Sequence, residues 1–399
     1  MTSQEQFESV LSHHQAGRLA EAEMLYRQVL AREPDHAGAL HLLGVLAAQV
    51  RQFDVAVDLI GHAIRVRPDS AEAHYNLGTS LQGAGRFAEA IAAHRQAIRL
   101  KPDLLQAYNN LANALRETGQ LDEAIEVFHQ AIRLKPDFAE ALNNLGSALK
   151  SAGQLDDAIA VFRSAIRAKP DYVEPYDNLV YAIQTHPDFD PGRIREELRR
   201  WNQRHAEPLR KFIQPHTNDR DSDRRLRIGY VSADFRVHVV GQNLLPLLRE
   251  HDHGQVEVFC YANMAREDAF TEQIRPHADA WRSIAGMSDS RAADLIRGDR
   301  IDILVDLALH TAGNRLLVFA RRAAPVQVTY LGYCASTGLE TMDYRLSDPH
   351  LDPADSDLSL YSEKTVRLPE TYWCYASAGP APEPSPPPVL AAGHITFGS

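Results

Sequence analysis

Asn76-Leu77-Gly78, then Gly85, Ala90, Ala97 and the pair Pro102-Asp103, is the stretch that decides how the first half of this chain folds. It returns as Asn110-Leu111-Ala112, Gly119, Ala124, Ala131 and Pro136-Asp137, and again as Asn144-Leu145-Gly146, Gly153, Ala158, Ala165 and Pro170-Asp171. Every copy lies 34 residues beyond the one before. Toward the amino terminus the same register holds Leu43-Gly44, Ala56, Ala63 and Pro68-Asp69, with Gly17 and Pro34-Asp35 ahead of them. Each position has a mechanical reason. The small residue after leucine lets two helices approach, and the mid-unit glycine supplies the positive φ that ends the first helix. The Pro-Asp pair stops the second helix and resets the chain.

In period, order and residue type these units resemble the tetratricopeptide repeat, so residues 1–184 are expected to form an α-solenoid. Four units are clear from about Ala37 to Tyr172, after an N-terminal unit without the usual start, and a partial helix follows from Val173 to Gln184. One series at the repeat spacing, Asn76, Asn110, Asn144 and Asn178, needs a cause, because asparagine is a poor helix-interior residue. Either each amide bonds a neighbouring unit and staples the stack, or the amides line the groove and clamp the backbone of an extended peptide.

The net charge of −11 gives no basic footprint for nucleic acid. Three cysteines, Cys260, Cys334 and Cys374, have no metal-ligand spacing and suggest a reducing compartment. No signal segment or membrane-length apolar run is apparent, and the cytoplasm is the expected location. After a polar connector at 185–222, helical near Arg193–His205, residues 223–378 alternate strands and helices. Strands are expected at Leu226–Val231, Val256–Tyr261, Ile301–Leu307 and Val326–Tyr330, with helices from about Gln242, over Arg291–Gly298 and after Asn314. That spacing predicts a doubly wound parallel sheet with ligands at the carboxyl ends of its strands.

Ser232-Ala233-Asp234-Phe235-Arg236-Val237-His238 follows the first strand, and Asp306-Leu307-Ala308-Leu309-His310-Thr311-Ala312-Gly313-Asn314-Arg315 ends the most apolar one. Ala324-Pro325-Val326-Gln327-Val328-Thr329-Tyr330-Leu331-Gly332-Tyr333, Met342-Asp343-Tyr344 and Tyr361-Ser362-Glu363-Lys364 complete the set. With these in order, residues 226–375 resemble the amino-terminal lobe of the O-GlcNAc transferase and SPINDLY family, of bacterial type, for which a repeat array in front is usual. The resemblance implies a Rossmann-like lobe of a two-lobed (GT-B type) glycosyltransferase. It also implies transfer of GlcNAc from UDP-GlcNAc to serine or threonine of proteins held in the repeat groove, inverting and without a metal or other cofactor. The matching catalytic positions are His238, His310 and Asp306; Thr311, Ala312, Gly313, Gly332 and Tyr333 would meet the donor. A histidine suits proton transfer, and backbone N–H groups around Ala312-Gly313-Asn314, at an expected helix start, suit diphosphate oxygens.

Two positions depart from the family pattern: Leu309 stands where a small residue is usual, and Cys334 where proline is common. Leucine at 309 is expected to crowd a phosphate or shift His310. Residues 379–393 read as a proline-rich linker and 394–399 as the first strand of a second lobe, which is otherwise missing. Two alternatives stay open: a non-catalytic interaction scaffold with a remnant lobe, and an O-fucosyltransferase using GDP-fucose.

Overall fold

The computed structural model describes residues 18–376, apart from 222 and 265. Gly17, the proline-rich segment and the expected second-lobe strand lie outside the described residues. The chain divides into two compact units, residues 1–190 and 191–399.

The first unit is a stack of helical hairpins. Helix α1 (Leu19–Arg32) closes the incomplete first repeat. Four pairs follow: α2 (Ala37–Gln49) with α3 (Phe53–Val66), α4 (Ala71–Gly83) with α5 (Phe87–Leu100), α6 (Leu105–Glu117) with α7 (Leu121–Leu134), and α8 (Ala139–Ser151) with α9 (Leu155–Ala168). Helix α10 (Glu174–Gln184) ends the series. The mid-unit glycines do what the pattern requires, since Gly85, Gly119 and Gly153 take φ of 80°, 77° and 77°. In the first complete pair that place falls to Arg51, which is forced to φ 64° without glycine's freedom. The small residues also act as expected. A methyl built at Gly78 would lie 2.5 Å from the His94 ring, and one at Gly146 2.5 Å from Phe162. First helices of successive units pack directly on one another, α2 on α4, α4 on α6, α6 on α8 and α8 on α10, whereas successive second helices meet far less. In a curved stack the closer row is the inside, so the first helices line the concave face.

The second unit opens with α11 (Pro191–Trp201), a π-turn and a 3₁₀ turn, which fill 191–212 of the expected connector. A seven-stranded sheet follows: β1 (Leu226–Ser232), β2 (Val256–Ala262), β3 (Ala280–Ser283), β4 (Ile303–Asp306), β5 (Val326–Thr329), β6 (Tyr344–Ser347) and β7 (Lys364–Arg367). Its order is β3-β2-β1-β4-β5-β6-β7, and every pairing is parallel. The crossover helices include α12 (Val239–Glu250) and α14 (Asp289–Gly298), separated by the single turn α13 (Thr271–Ile274). A further single turn, α15 (Leu316–Phe319), stands between β4 and β5. Under the sheet, Phe235, Leu244, Leu248, Val258 and Leu307 share one core. Strands β3, β6 and β7 were not expected, since each carries an arginine within its four residues and lacks a run of aliphatic residues. Among the described residues no helix is long and apolar enough to cross a membrane.

Candidate active site

Strand order reverses between β1 and β4, so the loops leaving those two neighbours flank the crevice where doubly wound sheets place ligands. His238 ends the first of these loops and the segment 307–315 forms the second. The two loops touch: a methyl built on Gly313 would lie 2.8 Å from the Ala233 side chain. Gly241 permits a second close approach, since a methyl there would meet the Asp234 and Arg236 carbonyls at 2.7 and 2.5 Å.

His238 is the N-cap of α12, which therefore starts at Val239 rather than near Gln242. Its Nδ1 accepts the Val240 backbone N–H at 3.2 Å, and the Asp234 carboxylate lies 3.7 Å from the same nitrogen. In neutral imidazole an accepting nitrogen carries no proton, so the hydrogen sits on Nε2. Among the described residues Nε2 has no hydrogen-bond partner, and the side chain is 39% exposed. This tautomer offers an outward donor. Turning Nε2 into a base requires Nδ1 to give up the cap and donate to Asp234.

The β4 loop corrects three expectations. Asp306 does not face an open cleft: it is 1% exposed and accepts the N–H groups of Ala308 and Leu309 and the Thr329 hydroxyl. Burial pushes its carboxyl above the usual carboxylate range, against those hydrogen bonds. It shapes the turn. His310 is equally buried, its Nε2 bonded to the Thr337 carbonyl at 2.8 Å and its ring edge-on to Trp201 at 4.7 Å. Leu309 does not crowd an open site, because its side chain is buried against Gly332. It holds φ 48°, the left-handed region where glycine is at ease, which is the physical content of the small residue expected there. Leu331, just after β5, repeats the device at φ 64°.

The remaining donor-site candidates stay together. The Tyr333 hydroxyl accepts the His310 N–H at 3.4 Å, and Gly332 packs on the Ala308 backbone, so the β4 and β5 loops are joined. Thr311 is half-buried and bonds back to the Ala308 carbonyl, while Ala312 and Gly313 are exposed. Among the described residues no acceptor takes the N–H of Ala312 or Gly313. These donors belong to a turn rather than a helix terminus, since α15 starts only at Leu316, and two open N–H groups on one turn make a nest of the kind that suits an anion. Asn263, Arg315, Glu363 and Trp201 were missed by sequence reasoning. Asn263 donates to the Gly313 carbonyl, and Arg315 reaches Asp289, Asn263 and the Ile284 carbonyl. Glu363 accepts from the Thr337 N–H and the Ser336 hydroxyl. Arg315 and Glu363 stood inside quoted motifs without being given a role, and Asn263 lies just past an expected strand. No group of three or more metal-ligating side chains occurs among the described residues.

In the repeat unit, each member of the asparagine series donates to a side chain 35 positions earlier. Asn76 reaches His41 at 2.8 Å, Asn110 reaches Tyr75 at 3.4 Å, Asn144 reaches Asn109 at 2.9 Å and Asn178 reaches Asn143 at 2.9 Å. These are bonds between units, as the stapling reading requires. All four side chains remain half-buried on the inner row.

Residues 202–377 match the family described as glycosyl transferase family 41, and 13–79, 69–137 and 109–173 match tetratricopeptide repeat families. The chain is 40% identical over 186 residues to a probable UDP-N-acetylglucosamine–peptide N-acetylglucosaminyltransferase SPINDLY of Oryza sativa subsp. japonica, covering 46% of this chain and 20% of that protein. A probable transferase of the same description, SEC of Arabidopsis thaliana, is 37% identical over 151 residues, 38% of this chain and 15% of that one. Among solved structures, a mutant of Thermobaculum terrenum O-GlcNAc transferase superposes with a TM-score of 0.71 at 36% identity, over 78% of this chain and 59% of that one. The chain thus spans about a fifth of the curated relatives it matches.

Proposed function

We propose that this chain, a glycosyltransferase family 41 region carried behind tetratricopeptide repeats, acts in the transfer of GlcNAc from UDP-GlcNAc to serine or threonine hydroxyls of proteins lying along the inner row of the repeats. The observation that carries this reading is the contact, at the β1/β4 reversal, between the loop that ends in half-exposed His238 and the turn whose Ala312 and Gly313 N–H groups are open. The histidine and the nest turn answer two needs of the reaction. An acceptor oxygen or sugar hydroxyl has to be held by a donor, which the Nε2–H of His238 supplies. Charge developing on the diphosphate has to be met by preorganised N–H groups, which Ala312 and Gly313 supply without a metal. Asp306, His310 and Leu309 hold the nest turn in shape. In this reading the displacement inverts the anomeric centre and the setting is cytoplasmic.

The test is incubation of the protein, expressed from its complete reading frame, with labelled UDP-GlcNAc and, in parallel, labelled GDP-fucose and a mixed protein acceptor. Label from UDP-GlcNAc on serine or threonine is expected. Label only from GDP-fucose changes the donor; no label from either leaves the scaffold.

A further inference from the structure

One row on the inner face of the repeats is not accounted for by stapling. Gln82, Arg116, Lys150 and Gln184 recur at the repeat spacing on α4, α6, α8 and α10, and each lies near the carboxyl end of its helix. The first member is satisfied, since Gln82 donates to the Asn110 carbonyl of the next unit. The next two are cations. Lys150 lies over the Tyr181 ring at 4.5 Å, and among the described residues no carboxylate reaches its ammonium. Burial, then the neighbouring Arg116 charge, holds that ammonium below the usual lysine range. Among the described residues the ion-pair partner of Arg116 is Glu117, the adjacent residue of its own helix, at 3.3 Å in a part-exposed setting where such pairs contribute little. Neither the Arg116 Nε nor the Gln184 Nε2 has an acceptor among the described residues. The row therefore has surplus donors and surplus positive charge, although the chain as a whole carries −11.

We propose that Arg116 and Lys150 form a subsite for a side-chain carboxylate of an extended polypeptide lying along the inner row. The inference rests on the reading of that row as the acceptor cradle. A carboxylate brings several acceptor lone pairs and the opposite charge, and matches both a guanidinium and an ammonium held on adjacent helices. The Tyr181 ring holds the lysine ammonium in place, so little side-chain freedom is lost on binding.

The experiment compares two fluorescently labelled Ser/Thr/Val-rich peptides, identical except for glutamates in one and glutamines in the other, titrated against the full chain by anisotropy. The overall negative field disfavours the glutamate peptide, so tighter binding by it has to come from a local site. The expected preference is about ten-fold, the size of one charge-assisted hydrogen bond. It should vanish in Lys150→Met and return in Lys150→Arg. Thermal melting checks the fold of both variants, and Met keeps an unbranched side chain of similar length beside Tyr181. Equal binding of both peptides, or a preference that survives Lys150→Met in a folded protein, overturns the carboxylate subsite while leaving the cradle. Absence of binding by either peptide overturns the cradle itself, and the subsite with it.

Discussion

His238 shows how one hydrogen bond decides between chemical roles. Its Nδ1 is occupied by the Val240 N–H at 3.2 Å, so the ring presents Nε2–H, whereas a base would need the Asp234 partnership that stands at 3.7 Å. The two roles respond differently to mutation. His238→Asn keeps a good N-cap and should leave the melting temperature within a few degrees, while transfer falls by about 10²-fold or more through loss of the positioned donor. Asp234→Asn, measured in the same assay, should keep transfer within a few-fold; a loss matching that of the histidine variant would make the pair a base after all. Motif position led to His238 from sequence, but the tautomer was illegible there because it depends on where α12 begins. Asp306 and His310 were legible as important and not as buried. Strand-end polar residues look alike in sequence whether they meet ligand or their own turn, and here the turn takes the Asp306 carboxylate and the Thr337 carbonyl takes His310.

At the scale of helices and strands, the repeat was readable almost residue by residue because each unit contacts only its neighbours, and local pattern then fixes local structure. The exceptions are positions where one unit breaks the pattern. Arg51 occupies the place of Gly85 and Gly119 and is held at φ 64° on the surface. Arg51→Gly should raise stability by about 1 kcal/mol in a denaturant melt, the strain released exceeding the entropy added to the unfolded chain. His94 takes the place filled by Ile60, Phe128 and Phe162, fully buried beside Gly78, and among the described residues its Nδ1 has no partner. Burial lowers its pKa from 6.5 to about 4. The unfolded chain therefore binds the proton first: His94's contribution is complete above about pH 6.5 and falls as pH drops toward 4, by up to about 3 kcal/mol. His94→Phe should remove that part of the pH dependence in melts taken between neutral and acid pH. The asparagine bonds belong to the same scale. Asn144→Ala deletes the donor to Asn109 and should cost about 1 kcal/mol. An unchanged melting midpoint would return the series to the peptide-clamping role.

On the scale of the whole chain, two halves were visible in the sequence, as a repeat that stops and a strand–helix alternation that begins, but the place to divide them was not. Composition marks 185–222 as a polar connector, since Arg193–Arg204 is dense in charge. The structure assigns everything from residue 191 to the second unit, for reasons that composition hides. Trp201 is fully buried, edge-on to His310, and a methyl built on Gly338 would strike Leu198. Further on, Asn218 and Arg224 both bind Asp302 beside β4. The connector thus supports the back of both loops that carry the nest and the Gly332-Tyr333 segment. Two measurements follow. Trp201→Ala should destabilise the second unit by about 3–5 kcal/mol, the usual result of emptying a large buried aromatic site. A fragment starting at Pro191 should unfold cooperatively, whereas one starting at Asp223 should lack a sharp transition, because His310 loses the ring that fixes it. Equal cooperativity in the two fragments would show that the loops are shaped by the sheet alone. The connector would then be a tether, and the nest would owe nothing to the helix that leads into it.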